Sequence, residues 1–142
     1  MKLRDIMTTE VQTCSPQDSL VQVAKIMWKE DVGIIPVVEG NKLVGVVTDR
    51  DIVLRCVAEG DDIRATTAQK CITTDMITAT PDMDAHEAAR LMGEHQIRRL
   101  PIVENGRLSG IVAIGDMAVV SIHEDEAGRA LSGISEPDVP HH

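Results

Sequence analysis

Two short stretches carry the residue types best suited to chemistry. In "GVVTDRD", Gly45 to Asp51, a glycine and an apolar run lead to Thr48 and, three residues later, to Asp51. In "GIVAIGD", Gly110 to Asp116, the glycine and the acid return, but Ala113 stands in the threonine's place. A carboxylate accepts hydrogen bonds from two adjacent hydroxyls, such as the 2′ and 3′ groups of a ribose, and charged acceptors make the stronger bonds. Thr48 falls where a strand gives way to a helix, so its hydroxyl and the open N–H groups of the helix start offer a seat to an anion. The pattern predicts ribose on Asp51 and phosphate toward Thr48, and Arg50 inside the same stretch is counted with them.

Thr-x-x-Asp at a helix start is also a capping box, in which both residues only satisfy orphan backbone donors. Ala113 removes the hydroxyl cap while Asp116 remains, and a box without its first member gives little reason to keep the acid. Common descent of the two stretches is the other explanation. If the ligand reading holds, the stretches divide the work: the first holds sugar and phosphate, the second sugar alone.

The elements that would position these residues are duplicated. Pro16 and Pro81, Met27 and Met92, Pro36 and Pro101, Gly45 and Gly110, and Asp51 and Asp116 all differ by 65, without a gap. Each copy opens on a β-prone piece, "EVQTCSP" or "DMITATP". A helix follows, with apolar residues at i, i+3, i+4 and i+7: Leu20, Val23, Ala24 and Met27, then Ala85, Ala88, Ala89 and Met92. Asp18 or Ser19, and Asp84, are the expected N-caps, and Gly33 the end of the first helix region. Gly40-Asn41 and Asn105-Gly106 each join two β-rich runs, which reads as a hairpin because these residues tolerate positive φ. A second helix is expected over Asp51 to Glu59 and again from Asp116 to about His123. Gly60 to Thr66 reads as a connector and the acidic residues from Glu124 as a tail, partly ordered at most.

The predicted class is α/β (α+β), with two β-α-β-β-α repeats at 1–62 and 63–123 and a tail at 124–142. A unit of about 60 residues buries too little surface to stand comfortably alone, so the halves are expected to pack sheet to sheet as a pseudo-twofold pair.

This arrangement resembles the tandem CBS-domain pair, or Bateman module, of the small stand-alone bacterial type. The likeness rests on "DIMTTEVQTCSPQDSLVQVAKIMWKEDVGIIPVVEGNKLVGVVTDRDI" and the second copy ending "HQIRRLPIVENGRLSGIVAIGDM", and covers residues 3 to about 120. It implies a regulatory module without catalysis of its own that binds an adenine nucleotide (AMP, ADP or ATP), NAD or S-adenosylmethionine between the repeats. Gly45, Thr48 and Asp51 fill the family's nucleotide motif. The resemblance further implies that the base is gripped near Gly33, Ile34 and Pro36, with Thr13 and Cys14, and near Ile97 to Pro101 and Thr78 in the second copy. It implies that Arg98 and Arg99, the adjacent basic pair before Leu100-Pro101, reach phosphates, for which paired guanidiniums are suited. An ordinary surface pair with Glu94 or Glu104 is the alternative. Stand-alone members also pair through their helices, so a homodimer is expected, with the Met27, Trp28 and Met92 faces against the second chain. A ligand-free docking module for an unknown protein partner is the competing function, and similarity to dormancy-associated members adds a stress or hypoxia role.

Composition narrows the partners. With no Phe or Tyr and a single Trp, stacking of a nucleobase on rings falls to Trp28 alone. A net charge of -9 argues against nucleic acid as a partner. No apolar run reaches the eighteen or so residues of a membrane span, and a cytoplasmic location is expected. Cys14, Cys56 and Cys71 lack metal or disulfide spacing and read as buried thiols.

Overall fold

The computed structural model describes residues 1–118. The tail and the expected end of the last helix at His123 lie outside the described residues. The chain is a mixture of helices and antiparallel strands in two compact units. One, the first-repeat unit, holds Gln12–Met76 with Gly106–Leu108; the other, the second-repeat unit, holds Met1–Val11, Ile77–Asn105 and the stretch from Ser109.

In the first-repeat unit α1 spans Leu20–Glu30, β1 Ile34–Glu39, β2 Lys42–Thr48 and α2 Asp49–Ile52, which runs on as one π-helical turn, Val53–Val57. Ser19 caps α1 in a complete box: its hydroxyl accepts the Gln22 N–H and the Gln22 side chain accepts the Ser19 N–H. The helix ends at Asp31, which takes the left-handed conformation at φ 54°, so Asp31 rather than Gly33 is the stop. Leu20, Val23 and Met27 are buried, but Ala24 is exposed, because the core touches a narrower stripe than the periodicity allowed. β1 and β2 pair antiparallel from Ile34–Thr48 to Glu39–Lys42 around Gly40, whose φ is +58°. Gly106–Leu108 close this unit, with the Leu43 N–H on the Gly106 carbonyl and the Leu108 N–H on the Asn41 carbonyl.

The second-repeat unit repeats the plan with α3 Ala85–Glu94, β3 Arg99–Glu104, β4 Arg107–Ala113 and α4 Ile114–Ala118. Asp84 caps α3 by accepting the His86 N–H at 3.0 Å. Asn105 and Gly106 are both at positive φ, as the hairpin reading required. Ala85, Ala88, Ala89 and Met92 are all buried, so this helix presents alanines where α1 presents Leu20 and Val23. Leu3, Leu100, Ile102, Val112 and Met117 complete that core.

The leading segments were not placed by local pattern. Residues 1–8 join the second-repeat unit: the Met1 carbonyl accepts the Ala85 N–H, Leu3 and Arg4 donate to the Met83 and Pro81 carbonyls, and Thr8 exchanges both backbone bonds with Ile111. Residues 66–73 make the same contacts one repeat later: Thr66 with Leu20, Ala68 and Gln69 with Asp18 and Pro16, and Thr73 with Val46. The Arg4 guanidinium fastens the first segment further on Asp82 at 2.6 Å.

Three expectations change in detail. The β-prone pieces shrink to single-residue parallel bridges, Cys14 with Val37 and Ala79 with Ile102. The helices after each hairpin begin at Asp49 and Ile114, ahead of the expected Asp51 and Asp116. Met27 and Met92 are core residues of their own units, whereas Trp28 is 87% exposed.

Candidate functional site

The glycine of each stretch is explained by backbone approach. A Cβ on Gly45 would lie 2.7 Å from the Thr73 carbonyl oxygen and collide with Ile72 Cγ2; one on Gly110 would lie 2.7 Å from the Thr8 carbonyl oxygen. Each glycine lets a leading segment run directly beside the strand.

At the end of β2 the capping box is complete. Thr48 Oγ1 accepts the Asp51 N–H at 3.0 Å, and Asp51 Oδ2 accepts the Thr48 N–H at 3.2 Å and the Thr73 hydroxyl at 3.3 Å. The Asp49 N–H is held by the Gly33 carbonyl at 3.0 Å and the Arg50 N–H by Asp49 Oδ1 at 2.8 Å. The backbone donors expected to seat an anion are therefore spent within the protein, which corrects that part of the reading: a short helix start beside a neighbouring strand satisfies its own orphans. Asp51 Oδ1 makes no hydrogen bond with the described residues. A hydroxyl has one hydrogen to donate beyond the bonds it accepts, and that of Thr48 is unspent among the described residues. Capping and ligand contact thus draw on different atoms of the same two side chains.

Several expected residues come together around this box. Ile34 is the cross-strand partner of Thr48, the Gly33 carbonyl joins the helix start, and the Pro36 carbonyl accepts the Cys14 N–H at 3.0 Å, next to Thr13. Arg50 is exposed on α2. Asp49 and Thr73 were missed by sequence reasoning. Asp49 packs its carboxylate 3.1 Å from where a Gly33 Cβ would be; Thr73 carried one signal, as the repeat partner of Thr8.

Thr78, Arg98, Arg99 and Asp116 belong to the second-repeat unit. Asp116 Oδ2 accepts the Ala113 N–H at 3.0 Å. The acid therefore caps without a threonine, so its persistence beside Ala113 no longer argues against a capping role. The Arg98 carbonyl accepts the Ile114 N–H, as that of Gly33 accepts Asp49, and the Pro101 carbonyl accepts the Ala79 N–H after exposed Thr78. Arg98 is exposed and Arg99 half-buried, and neither side chain pairs with Glu94, Glu104 or any other described residue.

Two duplicated α-β-β-α units, each with a glycine admitting a leading segment and an acid closing the following helix start, are matched by the CBS domain over residues 3–58 and 68–123. The chain belongs to the CBS-domain family. It is a CBS pair, a regulatory module. The CBS domain-containing protein YhcV of Bacillus subtilis is 44% identical over 137 residues, covering 96% of this chain and 97% of that protein. Among solved structures, Hypoxic Response Protein I with two coordinated zinc ions matches with a TM-score of 0.76 at 32% identity, over 84% of this chain and 98% of that one. The CBS domain pair of protein MJ0100 in complex with 5′-methylthioadenosine and S-adenosyl-L-methionine matches with a TM-score of 0.73 at 27% identity, over 87% and 98%. No helix among the described residues is long and apolar enough to cross a membrane.

Proposed function

We propose that this CBS pair is a non-catalytic cytoplasmic sensor of an adenosyl ligand, bound at the strand-to-helix junction of the first-repeat unit. The observation that carries the reading is Asp51 Oδ1 beside the hydroxyl hydrogen of Thr48, both unspent among the described residues. Oδ1 accepts from the ribose hydroxyls, Thr48 donates to a phosphate or carboxylate, and Gly33, Ile34, Pro36 and Thr13 line the base. The complex of the MJ0100 pair supports an adenosyl group, and 5′-methylthioadenosine shows that a phosphate is not required there. In the second-repeat unit Asp116 takes a ribose, while Arg98 and Arg99, unpaired among the described residues, take phosphates. Binding alters how the module meets a protein partner that distinguishes the bound from the free shape.

Native mass spectrometry of protein purified from cells tests both ligand and chain number. A bound adenosyl mass supports the reading. A thermal-shift screen in which AMP, ADP, ATP, NAD and S-adenosylmethionine all leave the midpoint unchanged refutes it, since a ligand that binds only the native state must raise it.

The second reading, a homodimeric docking module with a vestigial ligand site, is favoured by exposed Trp28, Val53, Leu54 and Val57. Its link to stress or hypoxia rests on the likeness to Hypoxic Response Protein I.

A further inference from the structure

The strand-to-helix junction of the first-repeat unit carries an acid that neither the cap of Thr48 nor the ribose contact uses. Asp49 follows Thr48 directly and is exposed. Its carboxylate lies over Gly33, with Oδ2 3.1 Å from where a Gly33 Cβ would stand, and its Oδ1 accepts the Arg50 N–H at 2.8 Å. Arg50 is exposed and makes no ion pair with Asp49 or Asp51 among the described residues. Arg55, one turn beyond Asp51, is drawn to the Cys71 carbonyl at 3.4 Å.

The second-repeat unit has the opposite balance at the same positions, each 65 residues further on. Arg98 stands for Gly33, Arg99 for Ile34, Ile114 for Asp49 and Gly115 for Arg50. Ile114 is buried, so no charge occupies the place of Asp49. With Asp51 and Asp116 included, the first junction has two acids and one cation, the second two cations and one acid. The flanks do not reverse this. The end of α1 brings Lys29, Glu30 and Asp31, one cation against two acids, and the end of α3 brings Glu94 beside His95 and Gln96, so each end carries the same net charge with His neutral. Exposed Asp75, after one leading segment, matches exposed Glu10, after the other.

We propose that Asp49 sets the charge of the ligand in the first-repeat unit: an adenosyl compound whose 5′ substituent is a neutral thioether or a cationic sulfonium is taken in preference to a nucleotide phosphate. The proposal rests on the adenosyl reading above and adds the chemical class. A ribose held on Asp51 with its 5′ group toward Thr48 turns that group toward the neighbouring Asp49 carboxylate. A nucleoside monophosphate brings about two negative charges there at neutral pH, where the Asp49, Arg50 and Asp51 N–H groups are already spent within the protein. Like charges at such separations repel, and nothing in the junction offsets it except exposed Arg50. A sulfonium gains from the same carboxylate what a phosphate loses, and a thioether is indifferent to it. A charge placed against the wrong ligand is a direct route to specificity. The pairing also accounts for Gly33, since a side chain there would crowd the carboxylate.

Isothermal titration of the full chain with 5′-methylthioadenosine, S-adenosylmethionine and AMP tests it, the first-repeat site being the one whose heat is lost in Asp51→Ala. At that site the thioether and the sulfonium are expected to bind about tenfold more tightly than AMP. Asp49→Asn removes the charge but keeps an Oδ1 acceptor for the Arg50 N–H, and the position is exposed, so the variant folds. It is expected to strengthen AMP about tenfold, to weaken S-adenosylmethionine about threefold and to leave 5′-methylthioadenosine unchanged. A merely structural Asp49 would shift all three alike. AMP binding this site as tightly as the other two in wild type, or a common shift in Asp49→Asn, overturns the role of Asp49 and leaves the adenosyl reading standing. Binding of none of the three refutes that reading itself.

Discussion

The Thr73 hydroxyl donates to Asp51 Oδ2 over 3.3 Å, although 22 residues separate them in the chain. That bond ties a leading segment to the acid of the candidate site and holds one carboxylate oxygen, so that the other is the one open to a ligand. Among the described residues Asp116 has only the Ala113 N–H, and Thr8, the counterpart of Thr73, makes no such bond.

Asp51→Ala is therefore expected to weaken adenosyl-ligand binding by about 2 to 3 kcal/mol, the loss of a charge-assisted contact, and Asp116→Ala by clearly less. Isothermal titration with AMP and with S-adenosylmethionine measures both. Two equal tight sites per chain, or equal effects of the two substitutions, would contradict the division between the repeats.

Thr48→Ala should cost about 1 kcal/mol of stability through the lost cap and also lower affinity. The reverse change, Ala113→Thr, supplies Asp116 with the missing member of its box. It is expected to raise the thermal midpoint and to strengthen the second-repeat site, read as a second titratable event.

Gly45→Ala and Gly110→Ala drive a methyl to 2.7 Å from the Thr73 and Thr8 carbonyl oxygens. Each is expected to cost about 1 to 3 kcal/mol, the usual range for overpacking. Gly115→Ala is the control, because nothing lies within 4 Å of its added Cβ and it sits in α4. Denaturant midpoints should fall for the first two and hold or rise for the third.

Burial pushes the Cys14 thiol up to about 11, with Asp18 adding to it, and burial with the neighbouring Cys56 and Asp51 pushes Cys71 up to about 12, against an ordinary 9.0. Both stay neutral when folded, so the native state holds protons that the unfolded chain releases above pH 9. Their contribution to stability is present in full below that pH and is lost as pH climbs toward 11 to 12. Unfolding midpoints should decline across this window. Maleimide should label these two cysteines at pH 8 only after denaturation.

The 65-residue repeat, both hairpin turns, the capping residues Ser19 and Asp84 and most of each apolar stripe were legible in the amino-acid order, because a helix period, a strand alternation or a positive-φ turn leaves a mark within a few neighbouring residues. The Gly45 and Gly110 pair was visible as a pattern, but its reason was not. That reason is the carbonyl of Thr73 or Thr8, brought in by backbone hydrogen bonds that carry no side-chain signature. Tertiary structure alone decided that residues 1–8 pack with the second repeat and 66–73 with the first, that the N–H groups after Thr48 are spent internally, and that Trp28 faces solvent while Met27 faces the core. Local pattern says which face of an element is apolar, but only long-range packing determines what covers it.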